Sequence, residues 1–221
     1  MRILLTGATG LVGQGVLREC LRAAEVTQVV ALGRRPSGHA DRRLQDLVVA
    51  DFADVDAVED QLHPFDACLY CAGAPPVGTA ETQYRHVTLD LTTHVARTLA
   101  RLNPDLTFVY ISGAHANPDS HVMMLRVKGE TERALAALPI RTVMLRPGGI
   151  QPVGGEQSPH HGLAMLYRVV GPLMGMGVRL MPEYMTTTAR VGRAMLELAR
   201  QDAPPTVVEN AEINRLGWAG A

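Results

Sequence analysis

The sequence predicts one α/β domain built on a doubly wound parallel sheet, and three observations carry that reading. Short apolar, β-branched runs alternate along the chain with longer segments of helical periodicity, the pattern of successive βαβ units. The first such run opens directly onto Thr6-Gly7-Ala8-Thr9-Gly10-Leu11-Val12-Gly13, a glycine loop placed between a strand and a helix. At 221 residues, with 47% hydrophobic and 19% charged residues, the chain has material for one substantial core and lacks the length for a separate substrate domain.

In order, strands are expected near Arg2 to Thr6, Gln28 to Leu32, Leu47 to Ala50, Ala67 to Cys71, Leu106 to Ser112 and Arg141 to Leu145, with a short edge strand at Thr206 to Glu209. Helices are expected over about Leu11 to Ala23, Val55 to Gln61, Ala80 to Leu102, Ser120 to Leu138, Leu163 to Met174 and Ala189 to Arg200. Thr186-Thr187-Thr188 reads as the cap of the last of these. Gly, Pro and Met become dense after Pro147, so residues 147–190 should lie over the sheet as substrate-side loops and short helices. No fixed-period repeat and no Ser/Gly linker divides residues 1–221, so one domain is expected.

A formal net charge of -1 gives no positive field for nucleic acid or an anionic membrane, so neither is expected as a partner. The most apolar stretch, Leu163 to Met185, is broken by Arg168, Arg179 and Glu183. Three cysteines, Cys20, Cys68 and Cys71, are too few for a secreted disulfide framework. Together with the early break of the apolar run Ile3 to Leu5, they predict a reducing compartment, the cytoplasm. A monomer or homodimer is expected, acting on a small-molecule substrate or none.

Glycines at 7, 10 and 13 allow a tight turn, bring backbone amides against a pyrophosphate and seat the helix closely on the sheet. The predicted phosphate site therefore comprises Gly7, Thr9, Gly10, Leu11, Val12 and Gly13; a plain tight turn is the alternative. After the second strand, Gly33-Arg34-Arg35-Pro36 offers no carboxylate for the ribose hydroxyls of NAD. Two guanidiniums suit a 2′-phosphate instead, which favours NADP over NAD, unless Arg34 and Arg35 are only a solvated basic turn. Ala72-Gly73, after the fourth strand, would let the backbone approach the ribose.

Cys68 and Cys71 have the spacing of a redox or metal pair, yet strand residues three apart face opposite ways, so two core thiols are expected. His160-His161 lacks acidic or cysteine partners at ligand spacing and reads as loop; no metal is expected. Leu163, Met165, Leu166, Val169, Val170, Leu173, Met174, Met176 and Met181 would roof an apolar substrate, or else form core or a subunit contact.

Tyr110-Ile111-Ser112-Gly113 ends the fifth strand, and Ser120 to Glu130 opens the next helix. Thr6 to Gly13, Ser112, Val127 to Glu130 and Arg146-Pro147-Gly148 together resemble the atypical short-chain dehydrogenase/reductase superfamily, near its Tat-interacting-protein-like and NmrA-like branches. The resemblance implies a Rossmann-type domain with a small C-terminal substrate-side extension. It implies that Asp51 and Phe52 hydrogen-bond and pack on the adenine, and that Pro147 and Gly148 line the nicotinamide pocket. It also implies that Ser112 polarises a carbonyl and that Lys128 holds the nicotinamide ribose.

Lys128 is the only lysine among 21 Lys and Arg residues, which favours that role over a surface lysine paired with Glu132 at i+4. Four residues before it, where the superfamily has its proton-donating Tyr, stands Met124, whose thioether has no transferable proton. His121, expected on the same helical stripe about 10 Å from Lys128, is the candidate substitute; His115 and Tyr110 rank lower. The chain is thus expected to be an oxidoreductase of a small apolar carbonyl or hydroxyl compound with weakened chemistry. The alternatives are a non-catalytic NADP(H)-binding sensor, as the NmrA-like branch suggests, and an interaction module that uses the fold without nucleotide.

Overall fold

The structure is a computed structural model and describes residues 1–156, 181 and 183–218. Seven strands make one sheet: β1 (Arg2–Thr6), β2 (Gln28–Gly33), β3 (Leu44–Val48), β4 (Ala67–Tyr70), β5 (Thr107–Ile111), β6 (Arg141–Arg146) and β9 (Val207–Glu209). Their order is β3-β2-β1-β4-β5-β6-β9, and every neighbouring pair is parallel. The order reverses between β1 and β4, which opens a crevice at their carboxyl ends, the place where such sheets take ligands.

The alternation of strand side chains gives the sheet two apolar faces. Ile3, Leu5, Leu69, Val109 and Val143 pack with Val16, Leu17 and Cys20 of α1 (Leu11–Arg22) and with Val191, Met195 and Leu198 of α5 (Thr188–Ala199). Leu4, Leu32, Cys68, Tyr70, Phe108, Tyr110 and Met144 pack with Val95 and Leu99 of α3 (Leu91–Leu102) and Leu135 of α4 (Met123–Ala136). Cys68 and Cys71 thus join opposite cores, and both are free thiols. The helices α1 and α5 meet through glycine: a Cβ on Gly15 would stand 2.5 Å from Thr188 Cβ, and one on Gly192 would stand 2.9 Å from Glu19 Cγ.

Several elements depart from the sequence expectation. The third strand runs Leu44–Val48 rather than 47–50. The segment Phe52–Gln61 is 3-10 helix with a kink at Val58, where an α-helix from Val55 was expected. The long helix expected from Ala80 contains a π turn, His86–Asp90, between α2 (Glu81–Arg85) and α3. Ser120 is not in α4: its hydroxyl accepts from the Val122 amide at 3.1 Å, a local turn that delays the helix to Met123. Two three-residue strands, β7 (Gly149–Gln151) and β8 (Met185–Thr187), pair in parallel where only loops and helices were expected. A terminal helix, α6 (Asn210–Trp218), was not foreseen. Thr187 does cap α5, accepting from Arg190 N at 3.1 Å.

No helix among the described residues is long and apolar enough to cross a membrane. His160, His161 and the apolar residues from Leu163 to Met176 lie outside the described residues.

Candidate functional site

The crevice is built from the glycine loop outward. Gly7 has φ +70°, and a Cβ there would stand 2.6 Å from the carbonyl of Cys71 and from the Ala72 amide nitrogen. Only glycine allows both that conformation and that approach of β1 to β4. The loop folds back through Gly10 N donating to Gly7 O at 2.9 Å, and α1 then starts with Gly10 as its cap. No side chain caps that helix end, so its first-turn amides, those of Leu11, Val12 and Gly13, are left to an anion. These features fit a dinucleotide pyrophosphate.

Residues expected around the adenosine are spread along the same edge. Arg34 and Arg35 follow β2 and are exposed, and neither side chain forms an ion pair among the described residues. Asp51 Oδ1 accepts from Ala53 N at 2.9 Å and so caps the 3-10 segment. Phe52 does not present its face outward as expected for adenine packing. It is 9% exposed and its ring meets Tyr70 at 6.3 Å between centroids, because the 3-10 turn directs it into the core. Gly73 stands in open space at the mouth, with Ala72 half-buried beside it.

The candidate catalytic strip lies at the end of β5. Ser112 is 6% exposed, its amide donates to Leu145 O at 2.8 Å, and its hydroxyl has no hydrogen-bond partner among the described residues. A buried, unpaired hydroxyl at the strand end is what a carbonyl-polarising serine presents before substrate arrives. Lys128, one turn inside α4, donates from Nζ to Ile111 O at 2.7 Å and sits 4.7 Å from the centroid of the Tyr110 ring. The i+4 pair with Glu132 does not form. Glu132 gives Oε1 and Oε2 to Arg146, at 3.0 and 2.6 Å, and Arg146 also reaches Glu209 at 3.0 Å.

Burial lowers the Lys128 ammonium to about 8, against the opposing charges of Glu132 and then Cys71. Burial pushes the Cys71 thiol up to about 12, with Lys128 pulling the other way, and it pushes the Tyr110 phenol well above its usual range. Met124 is 37% exposed. His121 is exposed and precedes α4, so it does not share the Met124–Lys128 stripe; the expectation that made it the substitute acid fails with the shifted helix start. His115 is also exposed, in the turn after Ser112, with φ 62°.

Pro147 and Gly148 do converge on this strip. Pro147 O accepts from Ala114 N at 3.0 Å, which ties it to the loop after Ser112. Gly148 N donates to Asn210 Oδ1 at 2.9 Å, and a Cβ on Gly148 would stand 2.1 Å from Tyr184 O. Two positioning residues escaped the sequence reading. Thr6 Oγ1 accepts from the amides of Cys71 and Ala72, each at 3.2 Å, and fastens β4 to the start of the glycine loop. Glu156, fully buried, binds Arg18 Nη1 at 2.9 Å, Thr188 Oγ1 at 2.7 Å and Gly154 N at 2.7 Å, and holds the chain after β7 against α1. A threonine at the last position of the first strand was the available signal for Thr6; Glu156 had none.

The fold and the glycine loop are those of a nucleotide-binding oxidoreductase-like scaffold, and sequence comparison gives the family. The model of the NAD dependent epimerase/dehydratase family matches residues 3–138, and the chain belongs to that family. The chain is 30% identical over 220 residues to "Protein FMP52, mitochondrial" of Eremothecium gossypii, with 96% of each chain covered. It is 28% identical over 142 residues to "Leucinostatins biosynthesis cluster protein T" of Purpureocillium lilacinum, covering 62% of this chain and only 52% of that protein. Among solved structures it superposes on MoeE5 in complex with UDP-glucuronic acid and NAD, with a TM-score of 0.72, 19% identity, and 94% and 75% of the two chains covered. It superposes also on the UDP-glucuronic acid 4-epimerase of Bacillus cereus, with a TM-score of 0.68, 17% identity, and 94% and 76% covered. At those identities the likeness is one of fold.

The relatives overturn the cytoplasmic expectation, because the FMP52 proteins of several fungi are named mitochondrial. Unpaired thiols report a compartment that keeps cysteine reduced and do not single out the cytoplasm.

Proposed function

We propose that the chain binds NADP(H) across the β1–β4 crevice and reduces small, fairly apolar carbonyl compounds at a low rate. The observation that carries this reading is the pairing of the buried, unpartnered Ser112 hydroxyl with the Lys128 ammonium, which is anchored on the carbonyl of the adjacent residue, Ile111. Gly7, Thr9, Gly10, Leu11, Val12 and Gly13 hold the pyrophosphate. Arg34 and Arg35, exposed and without an ion pair among the described residues, take the 2′-phosphate and set the preference for NADP over NAD. Asp51, Ala72 and Gly73 border the adenosine, and Pro147 and Gly148 border the nicotinamide. When bound, the dinucleotide supplies the hydride. Ser112 donates to the carbonyl oxygen and draws charge onto it, and Lys128 holds the ribose. Met124, which offers no proton where the superfamily has its Tyr, lowers the rate by removing that donor.

That same Met124 supports a second reading, in which the protein binds NADP(H) as a sensor and performs no turnover. Loss of reduced nicotinamide absorbance across a panel of aldehydes and ketones separates the two. Slow, substrate-dependent NADPH oxidation is expected; none at all from protein that binds NADPH tightly establishes the sensor.

A further inference from the structure

We propose that Lys128 is itself the acid of this site, its Nζ giving the proton to the oxygen of the reduced carbonyl; this rests on the NADP(H)-reductase reading above. The carbonyl carbon takes the hydride that the bound dinucleotide supplies, and the π pair moves to oxygen. That oxygen takes a proton from Nζ, whose N–H pair stays on nitrogen, and solvent reprotonates the amine.

Three features of the site direct the proton there. First, one N–H of the ammonium is committed to Ile111 O at 2.7 Å, which fixes Nζ at the peptide immediately before Ser112 and leaves its other two N–H groups for the ribose and the substrate. Second, no carboxylate among the described residues pairs with the ammonium. Glu132, four residues on along α4, gives both oxygens to Arg146 on β6, and Arg146 is further held by Glu209. Third, the other titratable groups facing Lys128 are much weaker acids near neutral pH. Tyr110 on β5 presents its ring face at 4.7 Å, and its buried phenol is pushed well above its usual range. The Cys71 thiol after β4 is pushed up to about 12. Burial meanwhile brings the ammonium down to about 8, close to the operating pH at which a general acid works best. Met124 is 37% exposed and offers nothing to compete with it.

Because Lys128 is the only lysine, the whole chain labelled with carbon-13 at the lysine ε position gives one lysine signal to titrate without any substitution. A midpoint near 8 is expected; a midpoint at the ordinary lysine value, above about 10, overturns the proposal. The second measurement pairs NADPH affinity with turnover in Lys128→Arg, which keeps the cation but does not release a proton. Affinity within about 3-fold of the parent, with turnover lower by about 100-fold or more, is expected. An arginine variant that turns over within about 3-fold of the parent shows that Lys128 only holds the ribose, and overturns the proposal. Parent turnover should also fall as pH rises through the lysine midpoint, and a rate flat across it is equally contrary. A parent that binds no NADPH contradicts the nucleotide reading itself. A parent that binds NADPH but shows an ordinary lysine contradicts this inference alone.

Discussion

Gly13 rests on the carbonyl oxygen of Gly7, so near that a methyl group on Gly13 would stand 1.9 Å from that oxygen. Both atoms belong to backbone, so neither side can rotate away. Gly13→Ala should push α1 off the loop, at a cost of about 1 to 3 kcal/mol in chemical denaturation, and should weaken NADPH binding with it. Parent-like stability and affinity in that variant would show that the loop has slack the geometry denies.

Gly10 separates binding from folding. It caps α1 with extended backbone, φ -83° and ψ 163°, a position that welcomes aspartate. A Cβ there meets only Gly7 O, at 3.3 Å, which asks for a small adjustment. Gly10→Asp should therefore keep or raise the melting temperature while its carboxylate occupies the anion site. NADPH affinity should drop at least about tenfold, or about 1.4 kcal/mol. Retained affinity in the folded variant would remove the pyrophosphate from this helix end.

In the proposed function, Arg34 and Arg35 set the nucleotide preference. Charge-assisted contacts of this kind contribute about 1.5 to 3 kcal/mol each, so the double substitution to Ala should weaken NADPH binding about tenfold or more. Binding of NADH should hardly change. If both nucleotides weaken alike, the arginines act through general charge and not on a 2′-phosphate.

Met124 lies one helical turn before Lys128 and is partly exposed, so a tyrosine ring fits there without displacing core. Met124→Tyr should raise reductase turnover on the carbonyl panel above pH 8, where the Lys128 ammonium is spent, by about 10², the usual contribution of a positioned acid, and by less below it. No gain, with NADPH affinity intact, would mean that the carbonyl is not bound over this turn of α4.

The half-buried ammonium of Lys128 carries a stability cost with a defined pH window. Its folded value, about 8, lies below the ordinary 10.5, so from pH 8 to 10.5 the unfolded chain binds more protons and stability rises with pH. Below pH 8 the full penalty persists, up to about 3 kcal/mol from the shift. Lys128→Met should therefore be more stable than the parent at pH 7, and the difference should shrink as pH rises to 10.5. A difference that does not depend on pH would place the effect in packing.

What the sequence made legible is local. The strand, glycine loop and first helix are contiguous from Arg2 to Arg22, and glycine spacing reports their geometry directly. The resemblance to the superfamily put Ser112 at a strand end and Lys128 on the next helix, and both stand there. What escaped depends on partners far away in the chain. Thr6 bonds amides 65 and 66 residues on, and Glu132 turns from Lys128 to Arg146 because β6 brings that guanidinium beside α4. Three-residue strands such as β7 and β8 are too short to show a period of two. The start of α4 moved from Ser120 to Met123 because a serine hydroxyl closed a turn that apolar periodicity does not register, and with it His121 left the helical stripe.

The most direct test of the central claim is calorimetric titration of the whole chain with NADPH and, separately, with NADH. Saturable binding of one NADPH per chain is expected, about tenfold or more tighter than NADH. Absence of binding by either nucleotide would contradict the crevice assignment, and equal affinity for both would contradict the role given to Arg34 and Arg35.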